Sequence, residues 1–327
     1  MDSGNIGFVL LCAAFVFVMT PGLAMFYGGL VRKKNVVNTM MTSIFIIGVG
    51  IVMWVLFGYS LSFAPSGNAF IGDFRWLGLE GVSLTEGYTD DASIPNMVFS
   101  AFQMMFAVIT PALITGAVAG RMKFKSIFVF TIFWSLIVYY PLAHMVWGQG
   151  GLLGADGIGA LDFAGGDVVH ISSGVSALVL CILLGKRHDY EHSIYRIHNI
   201  PTVVLGASLL MFGWFGFNAG SALAADGLAA HAFMTTGVSA AAAMLSWMLC
   251  DVIKNKKPTL IGASTGMVAG LVGITPGAGF VPMWAAVIIG LTTSPVCYIM
   301  ISYGKKKFGF DDALDAFSCH GTGGIWG

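Results

Sequence analysis

Charge is scarce in this chain. Only 10% of its 327 residues are Asp, Glu, Lys or Arg, and 57% are hydrophobic. A typical soluble domain carries about 25% charged residues. One buried core could not absorb this much apolar sequence, so the composition excludes an ordinary soluble domain. It predicts an integral membrane protein.

Several chemical signatures are also missing. The five cysteines are scattered without Cys-x-x-Cys spacing, so we infer neither a disulfide nor a metal site. The chain contains no nucleotide-binding loop and no His-Glu-x-x-His motif, which argues against a primary pump and weakly against an enzyme. We therefore expect no cofactor. The first five residues contain no Lys or Arg, unlike the start of a secretory signal peptide.

The few basic residues follow a pattern. Fifteen of the sixteen fall in five clusters separated by pairs of apolar runs, and only Arg75 lies elsewhere. The clusters are Arg32–Lys34; Arg121, Lys123 and Lys125; Lys186, Arg187 and Arg196; Lys254, Lys256 and Lys257; and Lys305–Lys307. Because Lys and Arg concentrate in cytoplasmic loops, this pattern predicts a plasma-membrane protein with its N-terminus outside.

The acidic loop residues lie on the opposite side. They are Asp73, Glu80, Glu86, Asp90, Asp91, Asp156 and Asp226. A negative outer face attracts cations and disfavours nucleic acid as a partner.

The apolar runs are long enough to be membrane helices, which need about 20 residues each. We predict ten, at 6–31, 39–63, 94–120, 126–147, 164–185, 200–222, 229–252, 259–275, 281–303 and 313–327. The last run is still apolar at Gly327, so we expect the chain to be truncated there.

Two local matches indicate an inverted repeat of two five-helix halves, 1–187 and 188–327. Asp162 precedes His170 by eight residues, and Asp312 precedes His320 by eight. The segment 108–111 also resembles 273–276. In inverted-repeat transporters the substrate path runs near the pseudo-twofold axis.

Three kinds of residue could carry function inside these spans. His170 and His320 are either core histidines or a facing pair that hydrogen-bonds a small solute or passes a proton. Asp162 precedes the fifth span, where capping a helix is as good an explanation as binding a cation. Aromatic clusters at 102–106, 144–148 and 214–221 could be packing, a cation-binding surface or an apolar constriction.

These residues resemble the ammonium transporter family (Amt/Mep/Rh), and its bacterial and archaeal Amt branch more than the Rh proteins. The resemblance covers the whole chain. Its motifs are Pro21–Asn35, His144–Trp147, Leu161–His170, Gly213–Ser221 and His320–Gly324. Asp167 departs from the pattern, since we associate that position with uncharged residues; it could add negative potential or cap the fifth span.

The resemblance implies a homotrimer with one pore in each subunit, eleven spans and a cytoplasmic tail. It implies an outer ammonium site at Phe106, Trp147 and Ser221, supported by Asp162. It further implies a gate of Phe106 and Phe217 and a pore lined by His170, His320 and Trp214. A soluble PII-type regulator would contact the Lys-rich cytoplasmic face.

The expected function is ammonium uptake, in which the cation is recruited outside and ammonia crosses with or without its proton. Ammonium, ammonia and membrane lipid are the expected partners. One alternative is an ammonium sensor that signals through a C-terminal domain beyond Gly327. The other is a membrane metalloenzyme that uses the two histidines.

Overall fold

A computed structural model describes residues 1–155, 157–188, 190 and 196–327, so Asp156 of the acidic loops lies outside the described residues. Within these ranges the chain is helical and contains no strand. In the described part of the chain, nine helices are long and apolar enough to cross a membrane. They are α1 (Ser3–Leu30), α2 (Lys33–Phe63), α3 (Asn96–Ile114), α4 (Phe124–Trp147), α5 (Gly166–Leu184), α6 (Ile200–Gly220), α7 (Gly227–Asn255), α8 (Leu260–Gly277) and α9 (Met283–Phe308).

The tenth predicted span corresponds to a shorter helical stretch. We call it α10; it comprises Phe317–Gly321 and Thr322–Trp326. Ten residues of helix rise only about 15 Å, about half of a bilayer core. The prediction of multiple spans is therefore confirmed for nine helices, and the tenth is not confirmed.

The third predicted span, 94–120, is too long at its C-terminal end. Helix α3 stops at Ile114, and the chain continues in turns. The Thr115 hydroxyl donates to the carbonyl of Ala112 at 2.7 Å. A Cβ atom on Gly116 would collide with the ring of Tyr27. This tight approach explains why the apolar sequence after Ile114 packs as turns against α1.

Glycines bring two pairs of helices into backbone contact. Helix α1 packs against α6, where a Cβ on Gly206 would collide with the backbone of Phe26. Helix α5 meets α10, where a Cβ on Gly174 would collide with the backbone of Gly321. Small residues allow such close approach between membrane helices. Each pair joins a helix before residue 188 to one after it.

Wide π-helical turns begin both α5 and α10. They span Gly166–Ile171 and Phe317–Gly321, and each contains one of the two histidines. Such turns are rare, and they are frequent at functional sites. The core around these turns is rich in aromatic side chains, including Trp54, Trp214, Phe106 and Phe217, all nearly inaccessible to solvent.

Candidate functional site

The outer cavity brings the predicted recruitment residues together. It has a volume of about 480 Å³, and Phe106, Trp147 and Ser221 all line it. The ring of Phe106 meets that of Trp147 edge-on, with 6.0 Å between centroids. Phe102, Gln103 and Asp91 also line the cavity. Phe102 and Gln103 belong to the aromatic cluster at 102–106 and Asp91 to the acidic loop residues, but none of the three was among the predicted site residues.

Two polar donors of the outer cavity, those of Trp147 and Ser221, are engaged by the protein itself. The Trp147 indole Nε1–H donates to the carbonyl of Asp162 at 3.0 Å. The Ser221 hydroxyl donates to the carbonyl of Phe217 at 2.9 Å. What these residues can still offer to a ligand is the face of an indole ring and the lone pairs of a hydroxyl. The cavity therefore suits a ligand that donates hydrogen bonds or carries positive charge.

Phe106 and Phe217 close the inner end of this cavity. Their ring centroids lie 4.3 Å apart with planes tilted by 33°. Both side chains are almost fully buried. The two residues predicted as a gate therefore do lie against one another, on α3 and α6.

Beyond the phenylalanine pair lies an enclosed passage of about 10 Å³, which is space for about one water-sized molecule. Its polar lining residues are His170, His320 and Trp214, and the rest of its wall is apolar. The apolar side chains are Met19, Leu23, Phe26, Ile109, Leu113, Val169, Leu210, Phe217 and Val268. This passage shares His320 with an inner cavity of about 230 Å³.

The two histidines face each other. Their Nδ1 atoms lie 3.3 Å apart, so one ring donates a hydrogen bond to the other. The ring centroids are 5.3 Å apart. His170 also stacks on Trp214 at 5.2 Å and on Phe217 at 6.1 Å. The other ring nitrogen of His170, Nε2, is buried without a partner in the described part of the chain. It is available to a solute in the passage.

Trp214 is fixed by a contact that sequence reasoning missed. Its Nε1–H donates to the hydroxyl of Thr275 at 2.8 Å, across from α6 to α8. Thr275 in turn donates to the carbonyl of Leu271. The resemblance between 108–111 and 273–276 had drawn attention to this segment, but no pattern identified the partner.

Asp162 caps α5. Its Oδ1 accepts from the backbone N–H groups of Gly165 and Gly166 at 2.7 and 2.6 Å. Its Oδ2 accepts from those of Asp167 and Val168 at 2.8 and 3.2 Å. Burial raises the pKa of this carboxyl above its usual value, and the four backbone bonds partly offset that effect. The capping interpretation of Asp162 fits this geometry.

Asp167 does not cap α5 with its side chain. Its backbone N–H is held by Asp162, and its own side chain is half-buried. Of the two roles open for Asp167, only the contribution to local negative potential remains.

Asp312 caps α10 in a similar way. Its Oδ1 accepts from the N–H of Ala316 at 2.9 Å, and its Oδ2 accepts from the N–H and hydroxyl of Ser318 at 3.1 and 3.2 Å. The carboxylate is fully buried. The matched spacing of Asp312 and His320 pointed to this residue, but its role as a cap required the structure.

An ion cluster lies next to this inner cap. Arg187 binds Asp311 with its Nη2 at 2.6 Å and its Nε at 2.7 Å, and Arg121 lies 3.7 Å from the same carboxylate. Burial disfavours the charged Asp311, but the bonds from Arg187 outweigh it and lower the pKa. The cluster ties the segments that follow α3 and α5 to the segment before α10.

A multi-pass membrane protein with a small enclosed space between two larger cavities is the class that this fold and geometry define. The Ammonium Transporter Family model matches residues 7–327. A Bacillus subtilis ammonium transporter is 53% identical over the whole chain, which spans 79% of that relative's length. The chain belongs to the Ammonium Transporter Family.

Solved structures agree with this assignment. The Saccharomyces cerevisiae Mep2 structure superposes with a TM-score of 0.91 at 39% identity, covering 100% of this chain and 72% of Mep2. A structure described as a sensor Amt protein superposes with a TM-score of 0.89 at 29% identity, covering 99% of this chain and 80% of the other.

Proposed function

We propose that this chain moves ammonium nitrogen across the plasma membrane, recruiting NH4+ in the outer cavity and passing NH3 through the enclosed passage. The proposal rests on the order in which three environments follow one another along one path. An acceptor-rich cavity beside Trp147 and Ser221 leads to the rings of Phe106 and Phe217 and then to a one-molecule passage.

The change in environment explains why the ion would lose its proton. An ammonium ion in the outer cavity gains cation–π contact with Phe106 and Trp147 and a hydrogen bond from its N–H to Ser221. The passage beyond is too small for a hydration shell and mostly apolar, and burying an unpaired charge there costs several kcal/mol. Neutral ammonia avoids that cost.

The histidine pair is proposed to receive the ammonia. Nε2 of His170 has no protein partner among the described residues, and a solute that both donates and accepts would satisfy it in either tautomer. Trp214 stacks against His170 and walls the passage. If the proton follows along the pair, transport carries charge and an electrical current accompanies ammonium uptake.

Asp162 is proposed to act in two ways. It holds the start of α5, which carries His170, and its buried charge lends negative potential to the outer cavity. No basic side chain pairs with it within the described residues, so helix N–H groups alone balance its charge.

The proposed assembly follows from the charge pattern and the family. The N-terminus would lie outside, and 1–187 and 188–327 would form two inverted halves. The α1–α6 and α5–α10 contacts support those halves, since each pairs equivalent helices across the divide. We also propose a homotrimer in which the full-length subunit has eleven spans. Its Lys-rich cytoplasmic face would meet a PII-type regulator, and lipid would surround the outer helices.

Transport is favoured over sensing because the 53% identical relative is named a transporter, whereas the sensor Amt structure is more distant at 29% identity. The metalloenzyme alternative gains no support from the site. Among the described residues, no group of three or more His, Cys, Asp or Glu surrounds the histidine pair. Nothing therefore complements the two imidazoles as metal ligands.

Ammonium uptake and current in proteoliposomes made with the full-length protein would test the proposal. Trp147→Leu and Ser221→Ala should each raise the half-saturating ammonium concentration, since a partly desolvated cation contact contributes about 0.5–2 kcal/mol. Trp284→Leu is the matched control, because Trp284 is 68% exposed on α9. Unchanged affinity in both site variants would show that the outer site lies elsewhere.

A further inference from the structure

Gln103 carries a buried side-chain oxygen that has no hydrogen-bond donor among the described residues. It lies on α3, is 8% exposed, and lines the outer cavity together with Trp147 and Ser221. Its Oε1 is buried and accepts no hydrogen bond within the described residues. A buried polar atom without a partner costs stability, and native structures rarely retain one without a reason.

The position of Gln103 suggests that reason. It lies three residues before Phe106 on the same helix, so the two side chains share one face. Two other polar groups that line the cavity keep their hydrogens occupied, since Trp147 donates to the carbonyl of Asp162 and Ser221 to that of Phe217. An amide oxygen turned into this cavity would add a further acceptor. The terminal torsion of glutamine is broad, so a bound cation can select the orientation that presents the oxygen.

We propose that Gln103 is a specificity-determining residue that accepts a hydrogen bond from NH4+ in the outer cavity. This inference rests on the proposed function. Ammonium carries four N–H donors. The hydroxyl of Ser221, the amide oxygen of Gln103 and the ring faces of Phe106 and Trp147 together offer four acceptors. K+ has the same charge but no N–H donor, and it relies on a shell of oxygens that two oxygens cannot replace.

The test uses Gln103→Met in the full-length protein, which keeps the length and flexibility of the side chain but removes the amide. Ammonium uptake and its inhibition by K+ are measured in proteoliposomes. We expect the half-saturating ammonium concentration to rise about tenfold, a loss equivalent to one hydrogen bond to an ion. K+ should compete better relative to ammonium. Met104→Leu is the matched control, because Met104 is next in the chain but does not line the cavity.

Methylammonium sharpens the test because it has one N–H fewer than ammonium. The Gln103→Met variant should therefore lose less affinity for methylammonium than for ammonium. An equal loss for both substrates would indicate a general disturbance of the cavity and would overturn the inference.

The outcomes separate the inference from the proposed function. If Ser221→Ala raises the half-saturating concentration and Gln103→Met does not, the role of Gln103 is wrong and the outer site stands. If neither variant changes it, the outer site itself is wrong. If Gln103→Met does not reconstitute, Gln103→Glu takes its place. A charged acceptor there should bind ammonium more tightly than wild type, and equal or weaker binding would overturn the inference.

Discussion

The starts of α5 and α10 share one pattern. Each has an aspartate, a residue with positive φ three positions later, and a histidine eight positions after the aspartate. Gly165 has φ +120° and Asp315 has φ +62°. Asp162 accepts four backbone bonds and has no basic partner among the described residues, whereas Asp312 lies beside the Lys305–Asp315 ion pair.

The difference lies in the charge balance, not in the capping. Both carboxylates satisfy the N–H groups that a helix start leaves unpaired. Lysine and arginine compensate the acidic groups around the inner cap, but only helix N–H groups compensate Asp162. Negative potential therefore remains near the outer cavity, where a cation would be received.

Removing the outer cap should have the largest effect. Asp162→Ala would leave four buried or partly buried N–H groups without acceptors, and each such group costs about 1–3 kcal/mol before water compensates. We expect a loss of about 3 kcal/mol or more, low expression and no uptake. Asp162→Asn keeps one acceptor oxygen and should be milder. A stable, active Asp162→Ala protein, judged by thermal unfolding and uptake, would remove the structural role of this cap.

Substituting either histidine should have the next largest effect. The effects of the two substitutions should be coupled, although the surroundings of the two residues differ. His170→Ala and His320→Ala should each reduce transport or change its selectivity, because either leaves the other ring unpaired beside an apolar passage. The coupling free energy of such contacting residues is about 0.5–3 kcal/mol. The double variant should therefore lose less than the sum of the two. Additive small losses in uptake and current, with unchanged selectivity, would point to two independent core residues.

Of the two residues with positive φ, Gly165 in the outer cap should contribute more to stability than Asp315 in the inner cap. A Cβ on Gly165 would collide with Val169, and φ +120° is strained for any L-residue. Gly165→Ala should cost about 1–3 kcal/mol. Gly159→Ala separates the two causes, because Gly159 has φ +76° and open space around its Cβ. Equal losses of thermal stability in both variants would assign the whole effect to backbone conformation.

Substituting Asp315, the residue with positive φ in the inner cap, should give the smallest change in stability. Asp315→Gly removes left-handed strain of up to about 1 kcal/mol, and it also removes a partly exposed ion pair with Lys305 that contributes about 0–1 kcal/mol. The two changes nearly cancel. Asp315→Asn also loses the ion pair, but asparagine does not relieve the left-handed strain as glycine does. Asp315→Asn should therefore be the less stable of the two variants. The reverse order in thermal unfolding would show that the left-handed conformation at position 315 costs less than the strain argument requires.

The sequence predicted what depends on local pattern. Apolar length located nine spans, and the repeated Asp–His spacing drew attention to two histidines whose facing arrangement was one of two interpretations. The family motifs also named the residues that line the outer cavity. Helix ends were less predictable: the apolar run after Ile114 reads as helix, but Gly116 must fit against Tyr27 from another helix.

Contacts between distant segments could not be predicted from one sequence. Nothing near Trp214 identifies Thr275 as its acceptor, and nothing near Arg187 identifies Asp311 as its partner. For the same reason, the sequence could not single out Gln103 within the aromatic cluster at 102–106. An amide in an apolar helix becomes informative only once its surroundings show that it has no partner.

The glycine contacts between α1 and α6 and between α5 and α10 also bear on mechanics. Transporters that alternate between two open states commonly rock one repeat against the other on a microsecond to millisecond timescale. Here the backbones of the two proposed halves touch directly, at Gly206 with Phe26 and at Gly174 with Gly321. Rocking would have to break close-packed seams at both places. A rotation of rings such as Phe106 within a fixed frame would open the proposed path without breaking these seams, and such a mechanism would give the turnover of a channel.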